Sequence, residues 1–240
     1  LLTQVLQGFP RFSPFVDGGL PAVTMFVGDT GRLRSAAEIL ADLRRLQPGD
    51  LGYGHLHALP ELVDFFCRPG YAQIFILRDP RDVVVSHVNY VTEMEPEHVH
   101  HRYYTEQLHT FEERLRTSIL GIPHSAAPFP DIQARFQPYL GWLGRQDVLA
   151  IQFEEFIQNR PAALARVLDF IIGRGFSLAV PRDKALTLLS ESIDPSRSPT
   201  FRSGKIGGWR AAFSEENKTL FKEVSGSLLL DLGYETTLDW

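Results

Sequence analysis

Leu1, Leu2, Val5 and Leu6 recur at the spacing of one helical face. Residues 1–8 therefore read as a helix, ended by Gly8 and Pro10. A stretch rich in Pro, Gly and Phe follows to residue 19. Residues 21–27 fit a short strand or an extended loop equally well. Over residues 36–46 the apolar positions Ala37, Ile39, Leu40 and Leu43 fall on one side, which predicts a second helix. A short extended stretch, 50–56, precedes a helix over 60–66 that carries proline in its first turn. Residues 71–77 (YAQIFIL) are apolar and aromatic almost throughout and follow Pro69-Gly70, the pattern of a strand buried on both faces. Asp79-Pro80 then opens a helix through Val83, Val84, Val85 and Val88. Strand, tight turn and helix make half of a βαβ unit.

Helical periodicity returns over 104–120 and 131–143, and residues 148–153 (VLAIQF) predict a second buried strand. Residues 161–172 and 183–189 read as helices. Ser214, with Glu215 and Glu216 behind it, caps a last one. The segment 194–208 is rich in Ser, Pro, Arg and Gly and reads as an ordered loop or a flap. Strands alternating with helices predict a three-layer α/β/α fold around a central parallel sheet.

Composition narrows the function. The chain has 240 residues, 44% hydrophobic and 22% charged, the balance of a globular protein with one domain-sized core. No apolar run approaches the roughly 20 residues of a membrane span. The single cysteine, Cys67, excludes an internal disulfide, so the expected location is the cytoplasm, away from any membrane. A net charge of −5 argues against a nucleic-acid partner. It leaves room for a small anion held by a few arginines in a cleft.

Three segments carry candidate chemistry. In IFILRDPRDVVVSHVNY, Arg78 stands at the end of a buried strand and Ser86 lies eight positions on. α/β folds bind ligands at the carboxyl ends of their strands. A guanidinium and a hydroxyl there suit a phosphate. In FRSGKIGGWRAAF, three cations (Arg202, Lys205, Arg210) and three glycines (Gly204, Gly207, Gly208) surround Trp209. Glycine lets backbone N–H groups approach an anion closely. In GYGHLHALP, His55 ends a short extended stretch, and histidine is the side chain best suited to take a proton near neutral pH.

Together these segments resemble the cytosolic-type sulfotransferase family, with the P-loop-NTPase-like fold which that implies. The family's R-x-P-x-D-x-x-x-S stretch, whose Arg and Ser hold the 3′-phosphate of the donor, is similar to RDPRDVVVS, which supplies Arg78 and Ser86. Its late R-K-G-x-x-G-x-W-K segment looks like RSGKIGGWR, giving Arg202, Ser203 and Gly204 the same phosphate. Its T-H-L-P stretch, carrying the catalytic base, looks like GHLHALP and implies that His55 is the base. A weaker match of QFEEF to F-Y-E-D-M would put Phe153 near the adenine. The resemblance implies a single domain over residues 1–240 that moves a sulfuryl group from 3′-phosphoadenosine 5′-phosphosulfate to a hydroxyl or amine of a small-molecule acceptor. No metal is needed, and the setting implied is a bacterial small-molecule or natural-product enzyme.

The chain also departs from the family. The P-K-S-G-T-T loop that binds the 5′-phosphosulfate is absent, so an N-terminal strand and that loop are expected to precede Leu1. Ser203 replaces a lysine, Tyr53 replaces the lysine before the base, and the K-x-x-x-T-V dimer motif is missing. An ATP-dependent P-loop kinase and an inactive nucleotide-binding module are the competing functions.

Each residue has a structural reading as well. Arg78 can pair with Asp79 or Asp82, and Ser86 can bond back to a carbonyl one turn earlier. Arg202 and Lys205 can be solvated, Phe153 can be core, and Trp209 can hold the flap down. His57 rivals His55 as the base. His98, His100 and His101 hint at a metal site, but their spacing along one helix converges poorly, so they read as solvated or acceptor-facing.

Overall fold

The computed structural model describes residues 2–11, 22–27, 32–124, 127–197 and 204–240. In chain order they form α1 (Leu2–Gly8), β1 (Ala22–Thr24), α2 (Ala36–Leu43), β2 (Tyr53–His55), α3 (Pro60–Phe66), β3 (Gln73–Leu77) and α4 (Pro80–Asn89). After α4 come π-helical turns over Tyr90–Met94 and Tyr103–Gln107, then α5 (Phe111–Leu120) and α6 (Ile132–Phe136). A 3₁₀ turn, Gln137–Trp142, leads to β4 (Val148–Gln152), α7 (Phe153–Gln158), α8 (Arg160–Gly173) and α9 (Arg182–Ser192). The chain ends in α10 (Trp209–Ala212), α11 (Glu215–Ser225) and α12 (Leu228–Asp231). It divides into two compact units, Leu1–Leu77 with Gly141–Gly204, and Arg78–Leu140 with Lys205–Trp240. Among the described residues no helix is long and apolar enough to cross a membrane.

The first unit holds every described strand, and these strands pair in parallel, as the α/β reading expects. β1 runs beside β2 with Thr24 opposite His55, and β3 beside β4 with Leu77 opposite Gln152. These are two separate parallel pairs among the described residues. The strand apolar runs are explained by what covers them. Ile151 of β4 is buried with Phe156 of α7 and with Leu164, Val167, Leu168 and Ile171, one face of α8. Each such side chain contributes about 1.5–3 kcal/mol on burial. Asn159 starts α8 by accepting from the Ala162 N–H, with Pro161 in the first turn. Helix α9 and Val5 of α1 close the same core.

In the second unit α4 packs on α5 and α10, and α11 packs on α5 and α6. Ser214 caps α11 as expected, accepting from the Asn217 N–H at 3.2 Å. It is not the last helix, because Gly226 turns the chain at φ +53° into α12.

Two expected helices are broken. The 104–120 pattern splits at Thr110, which starts α5 afresh through a capping box with Glu113. Arg114 satisfies the carbonyls of Tyr104 and Leu108 left behind by the break. The 131–143 pattern stops being α-helical at Phe136, because Pro138 has no N–H for the next helical bond.

Candidate functional site

In the second unit Arg78 directly precedes α4, whose first turn is built from RDPRD. Asp79 is the N-cap and accepts from the Arg81 N–H at 2.9 Å. Arg78 sends its Nη2 to the carbonyl of Lys205 at 3.3 Å, a residue 127 positions away. Asp82, almost fully buried, fastens the same segment. One carboxylate oxygen accepts from the Gly207 N–H at 2.6 Å and the other from the Trp209 N–H at 2.9 Å. The first turn of α4 and the glycine-rich segment therefore form one assembly. Gly204 and Gly207 hold φ of +59° and +69°, in the region that favours glycine.

Asp82 was not among the residues expected to matter, although it stands in the arginine-serine motif. Its two bonds are charge-assisted and shielded from water. Replacing Asp82 by Ala is expected to cost about 3 kcal/mol in urea unfolding. A loss below about 0.5 kcal/mol would mean that other groups hold the segment.

Arg81 braces this assembly from beneath. It is 1% exposed and pairs with both oxygens of Asp79 and with Glu235 at 2.6 Å. Its guanidinium lies 4.0 Å from the Trp209 ring centroid and 4.5 Å from that of Trp240. Burial pulls its pKa down, but Asp79 and Glu235 more than offset this and leave it above the ordinary value. Trp209, buried against the Arg81 guanidinium, is thus structural, in line with its expected part in holding the segment down.

Ser86 lies two turns along α4 and is half-buried. Thr92 and Thr105 bond back to carbonyls four residues earlier, but the Ser86 hydroxyl makes no side-chain hydrogen bond among the described residues. The back-bonding expected of an ordinary helical serine is not what it does.

In the first unit His55 is the last residue of β2 and is exposed. Gly54 before it has a packing reason: a Cβ there would sit 2.0 Å from the Val23 carbonyl oxygen, so any side chain would push β1 and β2 apart. Beyond the strand, buried Trp142 donates from Nε1 to the Leu56 carbonyl at 2.8 Å and anchors the segment between the two histidines. His57 is half-buried, edge-on to Phe26 at 6.1 Å, and burial holds it below the ordinary histidine range. Phe153 opens α7 directly after β4 and is half-buried, whereas Phe156 one turn later belongs to the core. Arg202 and Ser203 lie outside the described residues.

A family model for the sulfotransferase domain matches residues 55–233. The chain belongs to the sulfotransferase domain family. No curated protein matches the sequence. Among solved structures it is similar to mouse sulfotransferase SULT7A1 complexed with PAP, at 16% identity and a TM-score of 0.57, covering 96% of this chain and 92% of that one. It is also similar to retinol dehydratase, solved with androsterone and inactive cofactor PAP, at 17% identity and a TM-score of 0.52. A second retinol dehydratase structure, with retinol and PAP, gives 17% and 0.54. Both pairings cover 80% of this chain but only 57% of the dehydratase, and at such identities the likeness speaks for the fold. The α/β fold and the sulfotransferase class read from sequence agree with these matches, and the competing kinase reading falls with them.

Proposed function

We propose that this sulfotransferase domain moves a sulfuryl group from 3′-phosphoadenosine 5′-phosphosulfate to a hydroxyl or amine of a small organic acceptor. The observation that carries the reading is the bond from Arg78 to the Lys205 carbonyl, with Asp82 pinning the segment beside it. It joins two phosphate-type motifs that lie far apart in sequence. PAP in the SULT7A1 and retinol dehydratase structures supports the choice of donor, and retinol and androsterone support a small apolar alcohol as acceptor.

Each residue then has a role. Arg78 and the Ser86 hydroxyl hold the 3′-phosphate, aided by Arg202, Ser203 and the Gly204 amide. Phe153 lies against the adenine. His55 takes the acceptor proton as oxygen or nitrogen attacks sulfur and the bond from sulfur to the phosphate oxygen breaks. The donor supplies an activated sulfuryl group and departs as 3′-phosphoadenosine 5′-phosphate. As in phosphoryl transfer, catalysis of such a loose transition state rests on positioning and charge. The cytoplasm is the proposed compartment, on the single cysteine, and modification of natural products the proposed setting.

Calorimetric titration of the full-length protein with 3′-phosphoadenosine 5′-phosphate, and separately with ATP, tests this reading. Micromolar or tighter binding of the 3′-phosphorylated nucleotide is expected. Binding of ATP alone, or of neither, would overturn it.

A further inference from the structure

Three imidazoles, none of them assigned to sulfuryl transfer, meet in the second unit. His87 lies on α4, one position after Ser86, and His98 and His100 lie in the turns that follow the first π-helical turn. One ring nitrogen of each falls within 4.8 Å of those of the other two. His87 Nε2 and His100 Nδ1 are both buried and have no hydrogen-bond partner among the described residues. A buried polar atom left unpaired costs about 1–3 kcal/mol, so two in one cluster call for an occupant.

The other nitrogens show which form each ring takes. His100 Nε2 lies 2.8 Å from the Ala127 carbonyl, which can only accept, so Nε2 carries the hydrogen and Nδ1 presents a bare lone pair. His87 Nδ1 lies 3.1 Å from Ser118 Oγ, whose own hydrogen points to the Val84 carbonyl at 3.3 Å. Ser118 therefore accepts from His87 Nδ1–H, and the lone pair of Nε2 is free. A ring N–H held by an outer oxygen while the other nitrogen stays bare is the arrangement of metal-bound histidine. Phe129 stacks on His87 at 4.4 Å and 14° and fixes its ring plane. His98 is the adjustable member: its Nδ1 holds one 3.2 Å bond from the His100 amide.

We propose that His87, His98 and His100 form a binding site for a borderline divalent transition metal of the zinc class. Three neutral imidazoles are the donor set such ions prefer, and three protein ligands leave a fourth position for water or another ligand. Tetrahedral zinc needs ligand nitrogens about 3.4 Å apart, so the rings close further on binding. The lack of a carboxylate among the three ligands disfavours Mg²⁺ and Ca²⁺, which depend on anionic oxygen. The site escapes a sequence reading because its third member is eleven residues upstream on α4, whereas adjacent His101 turns away to the Val91 carbonyl at 2.7 Å.

The test uses the full chain stripped with a chelator, titrated with Zn²⁺ against a chromophoric competitor and with Co²⁺ in the visible. One equivalent of Zn²⁺ bound micromolar or tighter, intense tetrahedral Co²⁺ bands and no uptake of Mg²⁺ are expected. His98→Ala, at the more accessible ring, and His100→Gln should each weaken Zn²⁺ at least about tenfold. His101→Ala should not. Absence of saturable Zn²⁺ binding, equal uptake of Mg²⁺, or unchanged affinity in both His98→Ala and His100→Gln would overturn the proposal.

Discussion

Arg78→Ala should weaken binding of 3′-phosphoadenosine 5′-phosphate about a hundredfold while leaving the far-ultraviolet circular dichroism unchanged. A charge-assisted hydrogen bond to phosphate contributes about 1.5–3 kcal/mol, and Arg offers it as a two-pronged fork that no other side chain reproduces. At about 1.4 kcal/mol per factor of ten, the upper end of that range is the expected loss. Arg78 also reaches the Lys205 carbonyl, so a merely structural role has to be separated from phosphate binding. Adenosine 5′-phosphosulfate, which lacks the 3′-phosphate, makes the separation. If Arg78 serves the 3′-phosphate, Arg78→Ala weakens only the 3′-phosphorylated nucleotide, and Arg78→Lys recovers part of the loss as a point charge without the fork. Equal weakening of both nucleotides would assign Arg78 to holding the glycine segment instead.

The parts of the fold that could be read in advance are those whose cause is local. β3 followed by Asp79-Pro80 announces a strand and a capped helix because burial, the cap and the proline all act within a few residues. The helix over Pro60–Phe66 and the cap at Ser214 have the same local origin. Where the reading went astray at 104–120, a local signal was present but outweighed: Thr110 and Glu113 form a capping box inside a continuous apolar period. The site divides along the same line. Arg78 and Ser86 were singled out through their eight-residue spacing, the arginine after the strand and the serine on the helix that follows. Asp82 was not, because its partners are backbone amides more than a hundred residues on, and no side-chain pattern reports such a bond. Trp142 escaped for the converse reason, since its indole meets the Leu56 carbonyl, which has no sequence signature. The histidine cluster combines both difficulties, because proximity there depends on how a turn folds back on α4.

His55→Ala should abolish turnover, about a thousandfold or more, with nucleotide affinity unchanged within twofold. A positioned general base contributes about 10²–10⁴-fold, and nothing else in that range is asked of this exposed side chain at the end of β2. The rival is His57, two residues on, held below the ordinary range by burial and packed edge-on against Phe26. Both residues flank the Leu56 carbonyl that Trp142 anchors, so removing either ring leaves the main-chain anchor in place. The two variants can therefore be compared directly in a transfer assay with labelled donor and a panel of phenols and aliphatic alcohols. If His55 is the base, His55→Ala loses kcat while its apparent KM for donor stays near wild type, and His57→Ala keeps turnover within about tenfold. The opposite pattern would give the role to His57, whose depressed pKa leaves it neutral and able to accept a proton at neutral pH. Loss in both variants, with donor binding intact, would mean that the segment works as a unit, the first histidine taking the proton and the second setting its position.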